Sequence, residues 1–368
     1  MIPYSIPIFI TFISIFVFDI KNGKNGRIVW YFLYIYLTLL IGLRFEVGGD
    51  TINYMGYYQW QDDLDNFSFT YGGLLQPGYN FLCAISKSIS PDFYIFQIIH
   101  AIIINTLLFI FIVRNTRYIF TTLFCLYFVC YFYFTCEILR EAIAIMIFAY
   151  LSKPLMEKRW GVYFLGVGVC TLFHLSAFIL IVFQLLTKIK FNRLYIILVI
   201  GVIFGMLFLN RLLGFAQDLL LLGDKVGEYA NENHGYLADL LTFLRRGLFP
   251  IVFALVAKYG CKRNVIYENQ IAVLGLFGIM AFFNPVIFGR ITNYLIIFFV
   301  ISFASEMILF IKSQKVSLYH NALVLSMSFL LLYSSYYFLY NMYHLYVPYS
   351  SVLDPVSYNR DNVNVFKK

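Results

Sequence analysis

Residues 93–113 read FYIFQIIHAIIINTLLFIFIV, and Arg114 and Arg117 close the run. These 21 residues carry no charge. At about 1.5 Å of rise per residue, a helix of that length crosses a hydrocarbon core of about 30 Å. Apolar and polar positions do not alternate, which selects a helix over a strand of a membrane barrel. The rest of the chain repeats the pattern. Of its 368 residues 61% are hydrophobic and 12% charged, against about 25% charged in a soluble domain. So few charges exclude a water-soluble fold, and so much apolar content excludes a fibrous or disordered chain. The sequence predicts an all-α, polytopic membrane protein with a single transmembrane domain over 1–368.

Basic residues between the apolar runs place the spans. Six clusters, at 21–27, 114–117, 153–159, 188–193, 258–263 and 312–315, hold 16 of the 27 basic residues. Asp19, Glu157 and Glu268 accompany them, while the other gaps, the outer end of span 136–151 and the C-terminal tail carry 15 of the 19 acids. The positive-inside rule makes those clusters cytoplasmic. The net charge of +8 is thus a topology signal, and no nucleic-acid partner is expected. About 12 transmembrane helices follow: 2–18, 28–44, 93–113, 118–134, 136–151, 160–173, 175–187, 194–210, 246–258, 270–288, 291–311 and 318–340. Both termini then face outward, with outer segments at 45–92 and 211–245 and an outward tail at 341–368. Residues 74–90, too polar for a span, predict a re-entrant or amphipathic element. The run 160–186 divides in two, because one long span would put its flanking basic clusters on opposite sides. Met1–Phe18 has no preceding basic residue or cleavage site, so it is expected as a first span.

Several chemistries are excluded. No G-x-x-x-x-G-K-[ST] loop is present, so ATP coupling is not expected. The six cysteines form no C-x-x-C pair and read as small core residues. Without an H-E-x-x-H motif or an Asp-rich cluster, neither a metal nor another cofactor is expected.

The remaining polar residues collect at one outer level. Arg44 ends a span, and Glu46 and Asp50 follow it. Glu137, Arg140 and Glu141 open another span at spacings that share a helical face. His174 lies between two short spans, Arg245 and Arg246 enter one from outside, and Arg290 lies in a tight outer turn at 288–290. Each has a structural alternative. Arginines at span ends snorkel to head groups, Arg140 can pair with Glu137 or Glu141, and a lone histidine is commonly a packing residue. His100 and His320 are expected to be structural, and Asp62, Asp63 and Asp65 a solvated loop. Arginine forks hold phosphate bidentately and stay charged at depth. A lipid-linked diphosphate fits several outward arginines, which would stabilise it as it leaves. A nearby carboxylate or histidine would deprotonate an attacking hydroxyl.

The chain resembles the Wzy-type polysaccharide and O-antigen polymerases, in particular their EpsG-like branch. The resembling residues are Arg44-Phe-Glu-Val-Gly-Gly-Asp50 with Tyr54, Gln76-Pro-Gly-Tyr79, and Arg140-Glu-Ala-Ile-Ala144. Phe173-His-Leu-Ser-Ala177, Gly289-Arg290 with Tyr294, and Tyr346-Val-Pro-Tyr349 complete the set. The resemblance implies a glycosyltransferase of the GT-C kind in the bacterial inner membrane, joining oligosaccharide repeats at the periplasmic face. Donor and acceptor would both be undecaprenyl-diphosphate-linked glycans, embedded in membrane lipid, with a chain-length regulator protein as a further partner. Two residues depart from the pattern: Gln76 stands where an acid is expected, and Glu141 where an uncharged residue is commoner.

On this reading Arg140 and Arg290 grip the donor diphosphate and Arg44 assists. Asp50 is the acceptor-activating base, with His174 as the alternative base or an orienting partner. Tyr54, Glu141, Arg245 and Tyr294 are expected glycan or acceptor contacts. A turn-capping role is the structural alternative for Asp50. A lipid-linked oligosaccharide flippase and an O-antigen ligase are the rival functions, although the absence of an internal repeat argues against a flippase.

Overall fold

The computed structural model describes residues 2–68, 76–186, 243–260, 262, 265–281, 285–313, 332 and 343–358. The predicted spans 194–210 and 318–340 and the outer segment 211–245 lie outside them, save residues 243–245 and 332. Structure is helical, and the described residues add only isolated bridges of Ser351 with Arg44 and Asp354. Two compact units form, one of 1–178, 307–313 and 331–368, the other of 179–306 and 314–330.

The first unit contains α1 (Ile2–Ile20), α2 (Gly26–Gly42), α3 (Thr51–Gln59), α4 (Pro77–Ile89) and α5 (Phe93–Asn115). It continues with α6 (Ile119–Tyr131), α7 (Leu139–Met156) and α8 (Trp160–Phe173). Length and composition let α1 and α5 cross a membrane; α2, α6 and α8 are shorter but apolar. In α2, Ile28, Tyr31, Ile35 and Leu39 are exposed while Trp30, Leu33 and Leu37 are buried. A helix apolar on both its buried and exposed faces belongs in lipid. Its few hydroxyls are satisfied locally, as lipid requires: Thr38 Oγ1 donates to the Tyr34 carbonyl at 2.7 Å and Thr11 Oγ1 to that of Pro7 at 2.6 Å. The protein is membrane-embedded.

Side-chain pairs set the helix directions. Trp30 meets Phe109 at 4.4 Å between ring centroids, Tyr34 bonds Thr106 at 2.8 Å, and Gln97 Nε2 donates to the Gly42 carbonyl at 2.8 Å. Thus α2 and α5 are antiparallel. His100 Nε2 meets the Leu139 carbonyl at 2.9 Å, and the Tyr150 hydroxyl donates to Leu107 at 2.7 Å, so α7 runs parallel to α5. Cys170 Sγ reaches the Ala144 carbonyl at 3.5 Å, which makes α8 antiparallel to α7. The basic turns at 21–27, 114–117 and 153–159 therefore lie at one end of this unit. Lys312 joins them, donating to Asn22 Oδ1 at 3.3 Å and lying 5.3 Å over the Tyr118 ring. Arg44, Arg140 and His174 lie at the opposite end.

Three boundaries bear on the site. The run 160–186 breaks at His174, whose extended backbone (φ −152°, ψ 121°) ends α8 without a Gly or Pro. The element expected at 74–90 is α4; its 13 residues span only about 20 Å. The span expected to begin at 136 begins instead at Leu139. Glu137 closes a wide helical turn, Tyr133–Glu137, and Ile138 (φ −104°, ψ 53°) breaks the chain before α7. Glu137 accordingly shares no helical face with Arg140 and Glu141. The physical reason is its carboxylate, which the loop after α2 engages.

The second unit contains α9 (Leu180–Leu186), α10 (Phe249–Leu255), α11 (Glu268–Met280) and most of α12 (Pro285–Ser313). Residues 288–312 of α12 are long and apolar enough to span. Contrary to the expected outer turn at 288–290, Gly289 and Arg290 lie inside α12. Pro285 is its first residue, where a fixed φ and a missing N–H suit a helix start. Close backbone contact packs α11 onto the turn Phe243–Leu248: a side chain at Gly278 would collide with the Arg246 backbone.

Candidate functional site

The site forms where the polar end of the first unit gathers four chain segments. The loop after α2 begins at Arg44, whose side chain has 0% exposure. Its Nε donates to the Val47 carbonyl at 3.0 Å and its Nη1 to that of Ile41 at 2.7 Å. Nη2 is buried with no hydrogen-bond partner among the described residues. A wholly enclosed guanidinium does not snorkel to head groups. Arg44 instead braces the loop from within, and its charge sits beneath the site.

The C-terminal segment straps this loop from outside. Phe45 N donates to the Ser350 carbonyl at 2.9 Å, Gly48 N to that of Leu345 at 3.0 Å, and Val352 N to that of Leu43 at 2.8 Å. Ser357 Oγ donates to Glu46 Oε2 at 2.6 Å. The motif Tyr346-Val-Pro-Tyr349 was the available signal for this strap. Nothing in its local pattern announces a partner some 300 residues away.

Glu137 supplies the third hold. Its Oε1 accepts from Gly49 N at 3.0 Å and its Oε2 from Asp50 N at 3.1 Å. Gly48 has φ +109°, and a side chain there would lie 2.9 Å from Thr51 Oγ1, so the turn requires glycine. The outcome is a fixed backbone under Asp50, which is exposed. Asp50 takes the N-cap position of α3, yet its side chain makes no capping bond. The turn-capping alternative therefore fails, and the carboxylate stands free of the helix it precedes. Sequence reading missed the role of Glu137, because neither Gly nor Pro marks the break at Ile138.

Arg140 opens α7 beside this turn and is half-buried. Its Nη1 donates to Gln76 Oε1 at 3.0 Å, just ahead of α4. Among the described residues its Nε is buried with no hydrogen-bond partner, and Arg140 takes part in none of the described ion pairs. Glu137 is engaged by the loop amides, so the alternative pairing of Arg140 with it does not form. A neutral amide therefore meets the guanidinium where an acid would cancel its charge. Tyr54 from α3 packs with its ring centroid 6.0 Å from Arg140 Cζ and 5.9 Å from the Tyr79 ring. Burial raises the Tyr54 phenol pKa, the Arg140 charge pulls it back and the Asp50 charge raises it, so the hydroxyl stays neutral. Glu141 is buried at 3% exposure.

His174 lies at the same level. The Ala144–Cys170 contact is one turn short of Arg140 on α7 and one turn short of His174 on α8. His174 is buried, and its Nδ1 lies 2.6 Å from Ser176 Oγ, which accounts for the His-x-Ser spacing. Pro77-Gly78 of α4 packs against that helix end; a side chain at Gly78 would lie 2.9 Å from the Leu172 carbonyl. Asp50, Tyr54, Gln76, Arg140 and His174 thus belong to one end of one unit. Among the described residues no three His, Cys, Asp or Glu side chains gather closely enough to hold a metal ion.

Arg245, Arg290 and Tyr294 belong to the second unit. Tyr294 is fully buried within α12, and Arg290 is partly exposed five residues into that helix. The neighbouring Arg246 is committed to packing: Nη1 donates to the Gly289 carbonyl at 2.6 Å and to Thr292 Oγ1 at 2.7 Å.

A model of the EpsG family matches residues 27–351, which include every residue from Arg44 to Tyr349 named above. No curated protein and no solved structure matches the chain.

Proposed function

Because the chain belongs to the EpsG family, a Wzy-like polymerase-type family, we propose that it is a membrane glycosyltransferase that polymerises undecaprenyl-diphosphate-linked oligosaccharide repeats. The product is O-antigen or a related polysaccharide, made at the periplasmic face of the inner membrane. The full architecture is a GT-C-type bundle of about 12 spans as a single transmembrane domain, with both termini and the 45–92 and 211–245 segments on that face.

One observation carries the reading: Arg140 is a half-buried cation with no ion-pair partner among the described residues, beside an exposed carboxylate on a braced turn. Few structural roles need such an arrangement, whereas a diphosphate leaving group does. Asp50 takes the proton of the acceptor hydroxyl. The acceptor oxygen then bonds to the anomeric carbon of the donor glycan as the bond from that carbon to the diphosphate oxygen breaks. The electron pair leaves on the undecaprenyl diphosphate, whose charge Arg140 holds, joined by Arg290. Arg44 contributes through its buried charge and by keeping the loop in place. His174 orients the acceptor or serves as the base in place of Asp50. Tyr54 offers its neutral hydroxyl to the glycan; Glu141, Arg245 and Tyr294 complete the acceptor surroundings. No metal or cofactor enters this route, and a chain-length regulator protein is the proposed partner.

The test is reconstitution in proteoliposomes with lipid-linked repeat units, scored by the ladder of products. Wild type is expected to form a ladder and Asp50→Asn and Arg140→Ala to leave single repeats. Full ladders from both variants, expressed and folded as wild type, would sink the assignment.

A further inference from the structure

The basic end of the first unit lies apart from the proposed glycosyl-transfer site, and it holds an open pocket of about 430 Å³. That volume falls within the roughly 300–1,000 Å³ of small-ligand sites. Phe111 and Arg114 from the end of α5, Tyr150, Lys153 and Pro154 from the end of α7, and Arg159 ahead of α8 line it. Arg114 lies 5.9 Å over the Tyr150 ring, which holds its guanidinium against α7, and it takes part in none of the described ion pairs. Lys153 and Arg159 share a single acid, Glu157, at 3.8 and 3.6 Å. Two of the three cations thus share one carboxylate, and Arg114 pairs with none among the described residues. Both contacts are long, and the cationic side chains are 80% and 58% exposed, so they hold weakly and yield to a better anion.

One wall is cationic and the other is not. Phe111 and Pro154 are buried and Tyr150 is half-buried, and all three line the cavity. On the same helices, near these residues in sequence, Val113 and Met156 are exposed apolar side chains, at 53% and 58%, as on helices that stand in lipid. We infer that this cavity binds the phosphate head group of an anionic phospholipid. The Arg114 fork is shaped for two phosphate oxygens, Lys153 and Arg159 add charge, and the apolar wall meets the glycerol and the first acyl carbons. A basic pocket between spans at the positively charged face is where such head groups settle. Free phosphate would satisfy the cations and leave the apolar wall without a use.

Nanodiscs of phosphatidylcholine mixed with phosphatidylglycerol test this on the full chain, with retained lipids counted by native mass spectrometry. Wild type is expected to retain phosphatidylglycerol several-fold over its share of the bilayer. Arg114→Ala and, independently, Lys153→Gln are expected to lower that enrichment. Arg117→Ala, at the same end but outside the cavity, is expected to keep it. Equal losses from Arg117→Ala and Arg114→Ala would reduce the effect to general surface charge and overturn the site. Enrichment untouched by both cavity variants would overturn it as well. In a second arm inorganic phosphate alone is titrated while melting is followed. A phosphate shift that Arg114→Ala abolishes, without lipid enrichment, would overturn the phospholipid and assign the cavity to soluble phosphate.

Discussion

The two ends of the first unit use charge in opposite ways. At one end stand Lys21, Lys24, Arg27, Arg114, Arg117, Lys153, Lys158, Arg159 and Lys312, with few specific partners; the ion pairs described there are the two long contacts of Glu157. At the other, Arg44 and Glu137 are buried and Arg140 is half-buried, each bonded to a particular backbone or side-chain group. Numbers of charges favour the first end and organisation favours the second. Solvated cations orient a chain in a membrane at little cost. A charge withdrawn from solvent is expensive and persists where the fold or the chemistry holds it. On this contrast we propose the sparse end as the chemical one.

The sharpest way to break this contrast is Asp50→Asn, which keeps the turn and its amides and removes the proposed base. The polymerisation rate is expected to fall about 10²–10⁴-fold with substrate binding retained. Arg140→Ala comes next, with about 10²–10³-fold lost in rate, and Arg140→Lys is expected to recover only part because an ammonium lacks the planar fork. Both are read as initial rates of ladder formation; wild-type rates in either would dissolve the distinction between the ends. Glu137→Ala sharpens it differently. With the amides of Gly49 and Asp50 left to water in place of a charged acceptor, stability is expected to fall by about 0.5–1.5 kcal/mol for each bond lost. The melting temperature in detergent and the rate should drop together; a stable variant with full activity would remove the brace from the account. The smallest effect belongs to the basic end, where Arg117→Ala is expected to change stability by no more than about 0.5 kcal/mol and to leave polymerisation intact.

Much of this was legible in the sequence. The apolar runs, their basic flanks and the motifs around Arg44, Arg140 and His174 all report on local chain properties, and the described helices follow them. Even the break at His174 was reached through charge sidedness, without a Gly or Pro to mark it. The brace was not legible. Glu137 and Arg140 are three residues apart and look like one helical face, yet the wide turn at 133–137 and the kink at Ile138 turn Glu137 to a loop 87 residues away. The strap over Gly48 pairs the chain's two distant ends. Gly289-Arg290 misled in the other direction: a Gly in an apolar run reads as a turn, but Pro285 had already started the helix. Gln76 read as a departure from a pattern; its meaning, a neutral partner that leaves the Arg140 charge intact, needed the 3.0 Å contact.

The central claim is that Arg140 holds its charge for a diphosphate. Its most direct measurement is the affinity of the purified protein for undecaprenyl diphosphate, comparing wild type, Arg140→Gln and Arg117→Ala in the same detergent. Losing one hydrogen-bonded charge contact of about 1.5–3 kcal/mol should weaken binding by Arg140→Gln at least about ten-fold, with Arg117→Ala binding as wild type does. Equal affinity in wild type and Arg140→Gln would contradict the account.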